Sequence, residues 1–419
     1  MNILFVSPVG IIGGAERVLL ECVRQVRTLR PTWSVTVLML ADGPLREAVL
    51  DLDAQVRLVP LPSELAAAGD SRFVAGQRQI ESKTDDETNI DQTRRVSIFP
   101  RIRRFFVTKL SAAGFFLKLR KAIKQIRPDL IHSNGLKSHL CMAVIQPRNC
   151  PVLWHIHDYY SHRPKIQRLV QLASRRAKGC FAISTSVQED VQMVAPNLKS
   201  YLLENCVDTQ YFTPGESESE KLDKVAGFEY SDSVIRVGLV ATYANWKGHD
   251  VFLKAISKIA NIRAYIVGGQ LYTTSGSQWS EGELRQLGGD LGIKDRLGIV
   301  PFQADPRWIY RSLDIVVHAS VRPEPFGLTI VESMACGRSV VVSAAGGAAN
   351  LFTDQFDAIA HEPGNVESLA AAINRFVTDA SLRQRIGSQA RDTAVTRFST
   401  AKFGETLVKT YEQVVTLGK

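Results

Sequence analysis

Residues 314–344, DIVVHASVRPEPFGLTIVESMACGRSVVVSA, contain the repeating unit that decides the fold. DIVVHAS is typical of a strand, residues 321–327 form a loop, and LTIVESMAC predicts a helix followed by Gly337. SVVVSA predicts the next strand, and its nearly continuous valines favour burial on both faces. A strand, a helix and a second buried strand in this order indicate a parallel βαβ unit.

The same alternation continues on both sides of this unit. Candidate strands in the first half are NILFVSP, SVTVLML, VRLVPL, LIHSNG, VLWHIHD, GCFAIST and SYLLENCV. Those in the second half are RVGLVAT, AYIVGG, LGIVPF, DIVVHAS, SVVVSA and DAIAHE. Helical patterns separate most of them, such as 249–259, where apolar residues recur at three- and four-residue spacing. Two such blocks predict an α/β protein with two doubly wound domains.

The domain boundaries follow from length and composition. A chain of 419 residues exceeds one ordinary core, and a polar, acidic stretch near 208–234 predicts the linker. We therefore predict an N-terminal domain over 1–207, a C-terminal domain over 208–396 and a terminal helix over 397–419 that packs back on the N-terminal domain. A long polar stretch without periodicity predicts a flexible insertion at about 66–100.

Composition excludes several classes of protein. No apolar run is long enough for a transmembrane helix, and the N-terminus lacks the basic region of a signal peptide, so we expect a cytoplasmic protein. The six cysteines are scattered without metal-ligand spacing, which predicts reduced thiols and no metal site. A net charge of +9 favours an anionic partner without choosing between nucleic acid, phosphate ligands and an anionic membrane.

Two segments have features of phosphate contacts. In PVGIIGGAERVLLECV, Gly13 and Gly14 form a glycine-rich turn before a helix, where backbone N–H groups can approach a phosphate. The segment equally fits a plain strand-to-helix turn. In VGLVATYANWKGHD, Lys247 follows a strand and can reach an anion over the carboxyl end of the sheet, or it can be an ordinary solvated lysine.

Glu324 and Glu332 flank the start of the helix predicted in 314–344. The helix start offers unpaired N–H donors at Phe326, Gly327, Leu328 and Thr329. Glu332 lies about one turn inside the helix, where a carboxylate can accept hydrogen bonds from vicinal hydroxyls. Donors between two carboxylates match a ribose diol, a pyrophosphate and sugar hydroxyls, the parts of a nucleotide-sugar. The alternative is a capping carboxylate followed by a solvated glutamate.

With these motifs the chain resembles the retaining GT-B glycosyltransferases of family 4. EPFGLTIVE resembles their E-x7-E signature, and GGAER their N-terminal glycine motif. RPDLIHSNG, WHIHDYY, ENCVDTQYFTP, NWKGHDVFLKA and RSLDIVVHAS match further segments in order. The resemblance spans nearly the whole chain, except roughly 64 to 110, and it implies two Rossmann-like domains facing a central cleft.

The resemblance also implies the roles of the site residues. The C-terminal domain would bind a UDP-, GDP- or ADP-hexose, with Glu332 on the ribose hydroxyls, Glu324 on the transferred sugar and Lys247 on the pyrophosphate. N–H groups at Gly327 to Thr329 would contact sugar and phosphate. Gly13 and Gly14 would close over the donor, and His157 would hydrogen-bond the sugar. His155 shares a strand face with His157, and His132 and His139 have weaker claims. The family usually has an arginine five residues before the lysine, where this chain has Thr242. Another cation would then substitute, or donor binding would be weaker.

The implied reaction is retaining hexosyl transfer to a saccharide or lipid-linked acceptor, without a metal or other cofactor, in cell-surface polysaccharide or glycolipid synthesis. Two alternatives share the architecture: a nucleotide-sugar 2-epimerase-like isomerase, and a non-catalytic sugar-nucleotide binding protein. Binding without turnover would favour the last, which the Thr242 departure makes conceivable.

Residues 94–127 combine phenylalanines with a run of basic residues that no acid interrupts. The basic residues are Arg94, Arg95, Arg101, Arg103, Arg104, Lys109, Lys118, Arg120, Lys121, Lys124 and Arg127. This pattern predicts either peripheral attachment to the anionic inner face of the plasma membrane or a solvated helix whose Leu119, Ile123 and Ile126 pack inward. No nucleic-acid-binding motif accompanies it, so we expect no nucleic-acid partner.

Overall fold

The computed structural model of the chain describes residues 1–66, 99–147, 150–270 and 277–416. Its strands form two sheets, each entirely parallel, which confirms the predicted fold class of two doubly wound α/β domains. The first sheet consists of β1 (Asn2–Ser7), β2 (Ser34–Met39), β3 (Gln55–Leu58), β4 (Leu130–Asn134), β5 (Val152–Ile156), β6 (Gly179–Ala182) and β7 (Ser200–Leu202). The second consists of β8 (Ile235–Val240), β9 (Ile262–Gly268), β10 (Leu297–Pro301), β11 (Ile315–His318), β12 (Ser339–Ser343) and β13 (Ile359–His361).

The helices connect these strands. Those of the first half are α1 (Gly14–Leu29), α2 (Leu45–Leu50), α3 (Ser63–Ala66), α4 (Phe99–Ile126), α5 (Leu136–Ile145), α6 (Pro164–Ser174) and α7 (Thr185–Val194). Those of the second half are α8 (Ser219–Ala226), α9 (His249–Ser257), α10 (Glu281–Asp290), α11 (Arg307–Ser312), α12 (Leu328–Ala335), α13 (Val366–Thr378), α14 (Ala380–Arg397) and α15 (Thr400–Thr416). Short 3-10 helices span Asn245–Lys247, Lys294–Arg296 and Gly347–Asn350.

The order of the strands reverses once in each sheet. The first sheet has the order β3-β2-β1-β4-β5-β6-β7 and the second the order β10-β9-β8-β11-β12-β13. The reversals therefore fall between β1 and β4 and between β8 and β11. Open α/β sheets bind ligands in the crevice beyond the carboxyl ends of the strands at such a reversal. The topology thus indicates one candidate site position on each domain.

The strands form where the sequence is continuously apolar. All five residues of β5 and of β12 are buried, as expected for parallel strands covered on both faces. On α9 the predicted apolar face is buried, including Phe252 and Ile256. Two predicted strands are shorter than expected: β3 ends at Leu58 and β7 at Leu202, although the N–H groups of Val59 and Leu203 still donate to the carbonyls of Met39 and Ala182 on the neighbouring strands.

The last helix leaves the second half of the chain and contacts the first sheet's helix layer. Phe403, Leu407 and Tyr411 of α15 join the core that contains Leu19 and Cys22 of α1. The chain passes between the two sheets at the linker before α8 and again before α15, where the Val207 N–H donates to the Phe398 carbonyl at 2.8 Å. The predicted domain limits remain predictions.

Some of the sequence predictions concern residues outside the ranges that the structure describes. The insertion predicted at about 66–100 lies almost wholly outside the described residues. The same holds for Arg94 and Arg95, and for the side chains of Arg101, Arg103, Arg104 and Lys109 on α4. No helix among the described residues combines the length and the hydropathy that crossing a bilayer requires.

Candidate functional site

The candidate site of the second domain lies where its strand order reverses. Lys247 ends the 3-10 helix that follows β8, and Glu324 lies in the loop that follows β11, so both are at the carboxyl end of adjacent strands. The Lys247 ammonium contacts both carboxylate oxygens of Glu324, at 2.9 and 2.7 Å. The ammonium also lies 4.0 Å from the centre of the Trp246 ring. The fold thus brings together two residues that are 77 positions apart.

Two further residues complete the surroundings of Glu324. Oε2 of Glu324 accepts a hydrogen bond from the Ser320 hydroxyl at 2.9 Å and lies 3.2 Å from Nε2 of His318. Burial alone would raise the pKa of Glu324, but the charge of Lys247 and the hydrogen bond of His318 hold it well below its usual range. Glu324 is therefore an anchored anion across the physiological pH range, with Lys247 as its counter-ion.

The start of α12 has the donor geometry predicted from the sequence. Gly327 precedes the helix with φ of 110°, a left-handed conformation that favours glycine, and a Cβ there would lie 2.7 Å from Cδ1 of Ile330. Within the described part of the chain, no hydrogen bond uses the backbone N–H groups of residues 326–329. The Phe326 side chain points into the core, where its ring centre lies 6.0 Å from that of Phe398. Only the backbone of Phe326 can therefore serve a ligand.

The carboxyl group of Glu332 has a neutral hydrogen-bond partner, whereas that of Glu324 has a charged one. Its Oε2 accepts a hydrogen bond from the Tyr310 hydroxyl at 2.6 Å. Burial raises the pKa of Glu332 to about 7, against the opposing effects of the Tyr310 hydrogen bond and the positive charge of Arg17. Two glutamates eight positions apart thus differ in ionisation, because one has a lysine partner and the other a neutral tyrosine.

Arg17 is a residue of the first domain whose charge affects the pKa of Glu332. It lies in the first turn of α1, directly after the Gly13–Gly14 turn, and is exposed. Its positive charge is one of the two influences that lower the pKa of Glu332 against the effect of burial. Among the described residues, Arg17 has no carboxylate partner and no side-chain hydrogen bond.

In the Gly13–Gly14 turn, the N–H group of Gly13 already has a hydrogen-bond partner. The Gly13 N–H donates to the Glu16 carboxylate at 3.1 Å, an arrangement that closes the first turn of α1. Gly14 is the first residue of the helix. The N–H of Gly13 can therefore reach a phosphate only if Glu16 releases it, whereas the start of α1 remains directed at the cleft side of the sheet.

His157 follows β5 in the first domain. Its Nε2 lies 2.7 Å from the Asn134 amide oxygen, and burial lowers its pKa to about 3. An amide oxygen only accepts, so the proton of this neutral imidazole is on Nε2 and Nδ1 remains an acceptor. The geometry prepares His157 to receive a hydrogen bond from a hydroxyl rather than to act as a cation.

The other histidines named in the sequence analysis lie in the core. His132, His139 and His155 are completely buried. His132 and His155, with Cys22, place their ligand-type atoms within 4.8 Å of one another, a proximity that sequence spacing did not predict. Both ring nitrogens of His132 are already engaged, Nδ1 with Tyr411 at 2.6 Å and Nε2 with His155 at 3.1 Å. The absence of a metal therefore stays our prediction.

Sequence reasoning missed several neighbours of the predicted residues. His318 and Ser320 were within the quoted strand DIVVHAS, and Arg17 within GGAER, but no role was assigned to them. Tyr310 gave no signal, because its partner Glu332 lies 22 residues away on another helix. Thr242 lies two residues beyond the end of β8, at the carboxyl edge of the sheet, and is partly exposed.

Two family models match the chain. The model for glycosyl transferases group 1 matches residues 230–393, and the model for glycosyltransferase family 4 matches residues 12–211. A D-inositol 3-phosphate glycosyltransferase of Mycobacteroides abscessus is 31% identical over 213 residues, which are 50% of this chain and 45% of that protein. An uncharacterized glycosyltransferase of Methanocaldococcus jannaschii is 25% identical over 65% of this chain and 70% of its own. The chain thus spans under half the length of the first of these curated relatives.

Solved structures share the whole architecture. HepE of Anabaena in complex with UDP superimposes with a TM-score of 0.78 at 23% identity, over 99% of this chain and 100% of that one. The same protein with UDP-glucose gives a TM-score of 0.76 at 24% identity, over 99% and 100% of the two chains. At such identity the likeness establishes the two-domain GT-B fold. One family model matches each half of the chain, so the chain resembles glycosyltransferases along most of its length and has the GT-B fold.

Proposed function

We propose that the protein transfers a hexose from a nucleotide-sugar to a saccharide or lipid-linked acceptor, with retention of configuration and without a metal. The proposed setting is the synthesis of a cell-surface polysaccharide or glycolipid. Support comes from the family models that match each half of the chain and from relatives that are glycosyltransferases. A neighbour of the same fold binds UDP-glucose, which makes UDP-glucose the first of the UDP-, GDP- and ADP-hexoses to test.

The observation that carries the proposal is the pair of unlike glutamates around the start of α12. Glu324 is a permanent anion held by Lys247, and Glu332 is a carboxyl group with a pKa of about 7 beside Tyr310. Between them lie the N–H groups of residues 326–329, which have no hydrogen-bond partner among the described residues. We assign the ribose diol to Glu332, the diphosphate to the helix start and the transferred sugar to Glu324, because these ligand parts occur in that order.

The residues then act on the charges of the reaction. The bond between the anomeric carbon and the phosphate oxygen breaks, and the diphosphate keeps the electron pair. The acceptor oxygen bonds to the anomeric carbon on the same face, and its proton passes to the departing phosphate. Lys247 and the α12 N–H groups stabilise the negative diphosphate. Nδ1 of His157 accepts a hydrogen bond from a sugar hydroxyl, and Gly14 of the first domain closes over the donor.

A donor screen with a matched variant tests this assignment. Thermal shifts with UDP-, GDP- and ADP-hexoses should identify one donor, and Glu332→Gln should weaken its binding roughly tenfold, because one charged acceptor of the diol is lost. Labelled donor with membrane extract should then give labelled acceptor. Altered free nucleotide-sugar would instead indicate an isomerase, and binding without turnover a non-catalytic protein. Equal donor affinity of both proteins would contradict the ribose assignment.

The raised pKa of Glu332 gives the same variant a second readout. The ionised carboxylate is the better acceptor, so donor affinity of the wild type should rise by about tenfold between pH 6 and pH 8, and that of Glu332→Gln should not. The stability of the ligand-free protein has the opposite dependence on pH. A carboxyl group with a raised folded pKa favours the protonated folded state, so its contribution is complete below about pH 4.5 and is lost as the pH rises through about 7.

We further propose that the layer formed by α4, α5 and α6 rests on the anionic inner face of the plasma membrane. Lys121 and Lys124 are exposed on the same side of α4 as Leu117, whose residue exposure is 70%. Val144 on α5 and Leu172 on α6 are exposed to 57% and 59%. Basic and apolar side chains on consecutive packed helices suit the boundary between headgroups and acyl chains.

Sedimentation with vesicles tests this attachment. Replacing Lys118, Lys121 and Lys124 with glutamine should lower the affinity for vesicles of phosphatidylcholine and phosphatidylglycerol by roughly a hundredfold, since each lysine near an anionic surface contributes ~1 kcal/mol. The control replaces Lys294, Lys402 and Lys409, which are exposed elsewhere and give the same net charge. Equal sedimentation of the two triple variants would exclude attachment through α4.

A further inference from the structure

We propose that Tyr159 is a positioning residue for the transfer reaction: its hydroxyl, on the first domain, holds the loop of the second domain that carries Glu324. The catalytic part of this inference rests on the proposed function. Tyr159 is two residues beyond His157, so one short segment of the first domain would set the distance between His157 and Glu324. These two residues are the ones assigned to the same sugar from opposite sides of the cleft.

The Tyr159 hydroxyl has a complete set of partners. It donates to the Glu324 carbonyl at 3.1 Å and accepts from the Gly347 N–H at 2.9 Å. The Ser186 hydroxyl lies at 2.9 Å within the first domain. A phenol has one proton and two acceptor positions, so Ser186 donates and every position is used. Tyr159 is buried, so water does not compete for these bonds.

The segment of the second domain is equally well defined. The Glu324 carbonyl also accepts from the Gly347 N–H at 2.7 Å, and Glu324 forms an isolated parallel bridge with Gly346. A Cβ on Gly347 would lie 1.9 Å from the Pro325 carbonyl oxygen and 2.7 Å from the Ser184 hydroxyl. The tyrosine hydroxyl therefore inserts at the point where two loops of the second domain and one helix start of the first domain meet.

The segment of the first domain is anchored independently. The N–H groups of Tyr160 and Ser161 donate to the Asp190 carboxylate of α7, at 2.7 and 3.2 Å. Upstream, Asn134 holds His157. Because both ends of the segment are fixed to the first domain, the tyrosine hydroxyl transmits that position to the backbone of Glu324. Misplacing a reacting group by about 1 Å can cost roughly a hundredfold in rate.

The test is Tyr159→Phe in the full chain, with the donor found by the screen. We expect kcat to fall by roughly 10- to 100-fold, while the KM for the donor changes less than about threefold, because Lys247, Glu332 and the α12 start are untouched. Hydrogen–deuterium exchange of the Gly347 amide should accelerate roughly tenfold, since one of its two acceptors is removed. The exchange measurement needs no donor.

Ser186→Ala is the matched control, because it removes only the partner of the same hydroxyl within the first domain. It should leave kcat within about threefold and the Gly347 exchange unchanged. Unchanged kcat in Tyr159→Phe would overturn the positioning role, and so would a lower kcat without faster exchange at Gly347. If the wild type turns over no donor, the proposed function fails, whereas faster exchange would still establish the contact between the domains.

Discussion

Lys247→Met is expected to lower the rate of hexosyl transfer by about 10²- to 10³-fold and to destabilise the second domain by about 3 kcal/mol. The side chains of Lys247 and Glu324 are only 18% and 12% exposed, so removing the lysine leaves a largely buried carboxylate without its counter-ion. The rate falls because the departing diphosphate loses a cation. Chemical denaturation and the labelled-donor assay measure the two effects separately.

A double-mutant cycle separates stability from catalysis at this pair. Glu324→Gln together with Lys247→Met removes both charges, so much of the lost stability should return, whereas activity should not. Lys254→Met is the control, because Lys254 pairs with Asp250 in an ion pair that is 46% and 30% exposed. A solvent-accessible i,i+4 pair of this kind on a helix contributes about 0.3–0.5 kcal/mol. Equal destabilisation by Lys247→Met and Lys254→Met would contradict the buried-pair interpretation.

The second large effect is expected for Asp223→Ala, which should lower the free energy of unfolding by about 3–5 kcal/mol. Asp223 is fully buried on α8, where Arg236 donates to its carboxylate at 3.1 and 2.6 Å and Arg263 donates at 2.9 Å. The Tyr265 hydroxyl also donates to it. Burial would raise the pKa of Asp223, but the hydrogen bonds of Arg236 and Tyr265 and the charges of both arginines lower it. Without Asp223 these groups lose their common acceptor.

This network joins the helix after the linker to strands β8 and β9. Asp223→Ala should therefore lower the denaturation midpoint of the second domain, followed by circular dichroism, and loosen α8 in hydrogen exchange. Glu220→Gln is a control on the same helix, since Glu220 is exposed and a surface substitution changes stability by about 0.5 kcal/mol or less. A loss below about 1 kcal/mol in Asp223→Ala would mean that the two arginines find other acceptors.

The fold was readable from the sequence because its signals are local. Continuous apolar runs mark strands such as β12, and the glycines after them mark turns, so both domains follow from the pattern. The position of the candidate site was predicted from the sequence as well, because Glu324 and Glu332 lie on either side of a single helix start. The left-handed conformation required at Gly327 agrees with the residue found there.

The charge state of those glutamates was not readable. The sequence presents both as acids beside an apolar run. The structure gives Glu324 a lysine from 77 positions away and gives Glu332 a tyrosine from another helix. Their pKa values therefore move in opposite directions, one well below its usual range and one to about 7. Burial and neighbours decide a pKa, and both are properties of the packed protein.

The sequence by itself determined the two doubly wound domains, the strands that end at the cleft and the helix start that two glutamates flank. Each depends on residues close together in the chain, through hydrophobic period, turn residues and helix ends. Only the tertiary structure decided that Lys247 is the partner of Glu324 and that Tyr159 joins the domains at the Glu324 backbone. Such contacts link residues up to 165 positions apart, and they arise from the order of the strands and the packing of two domains, which no local pattern encodes.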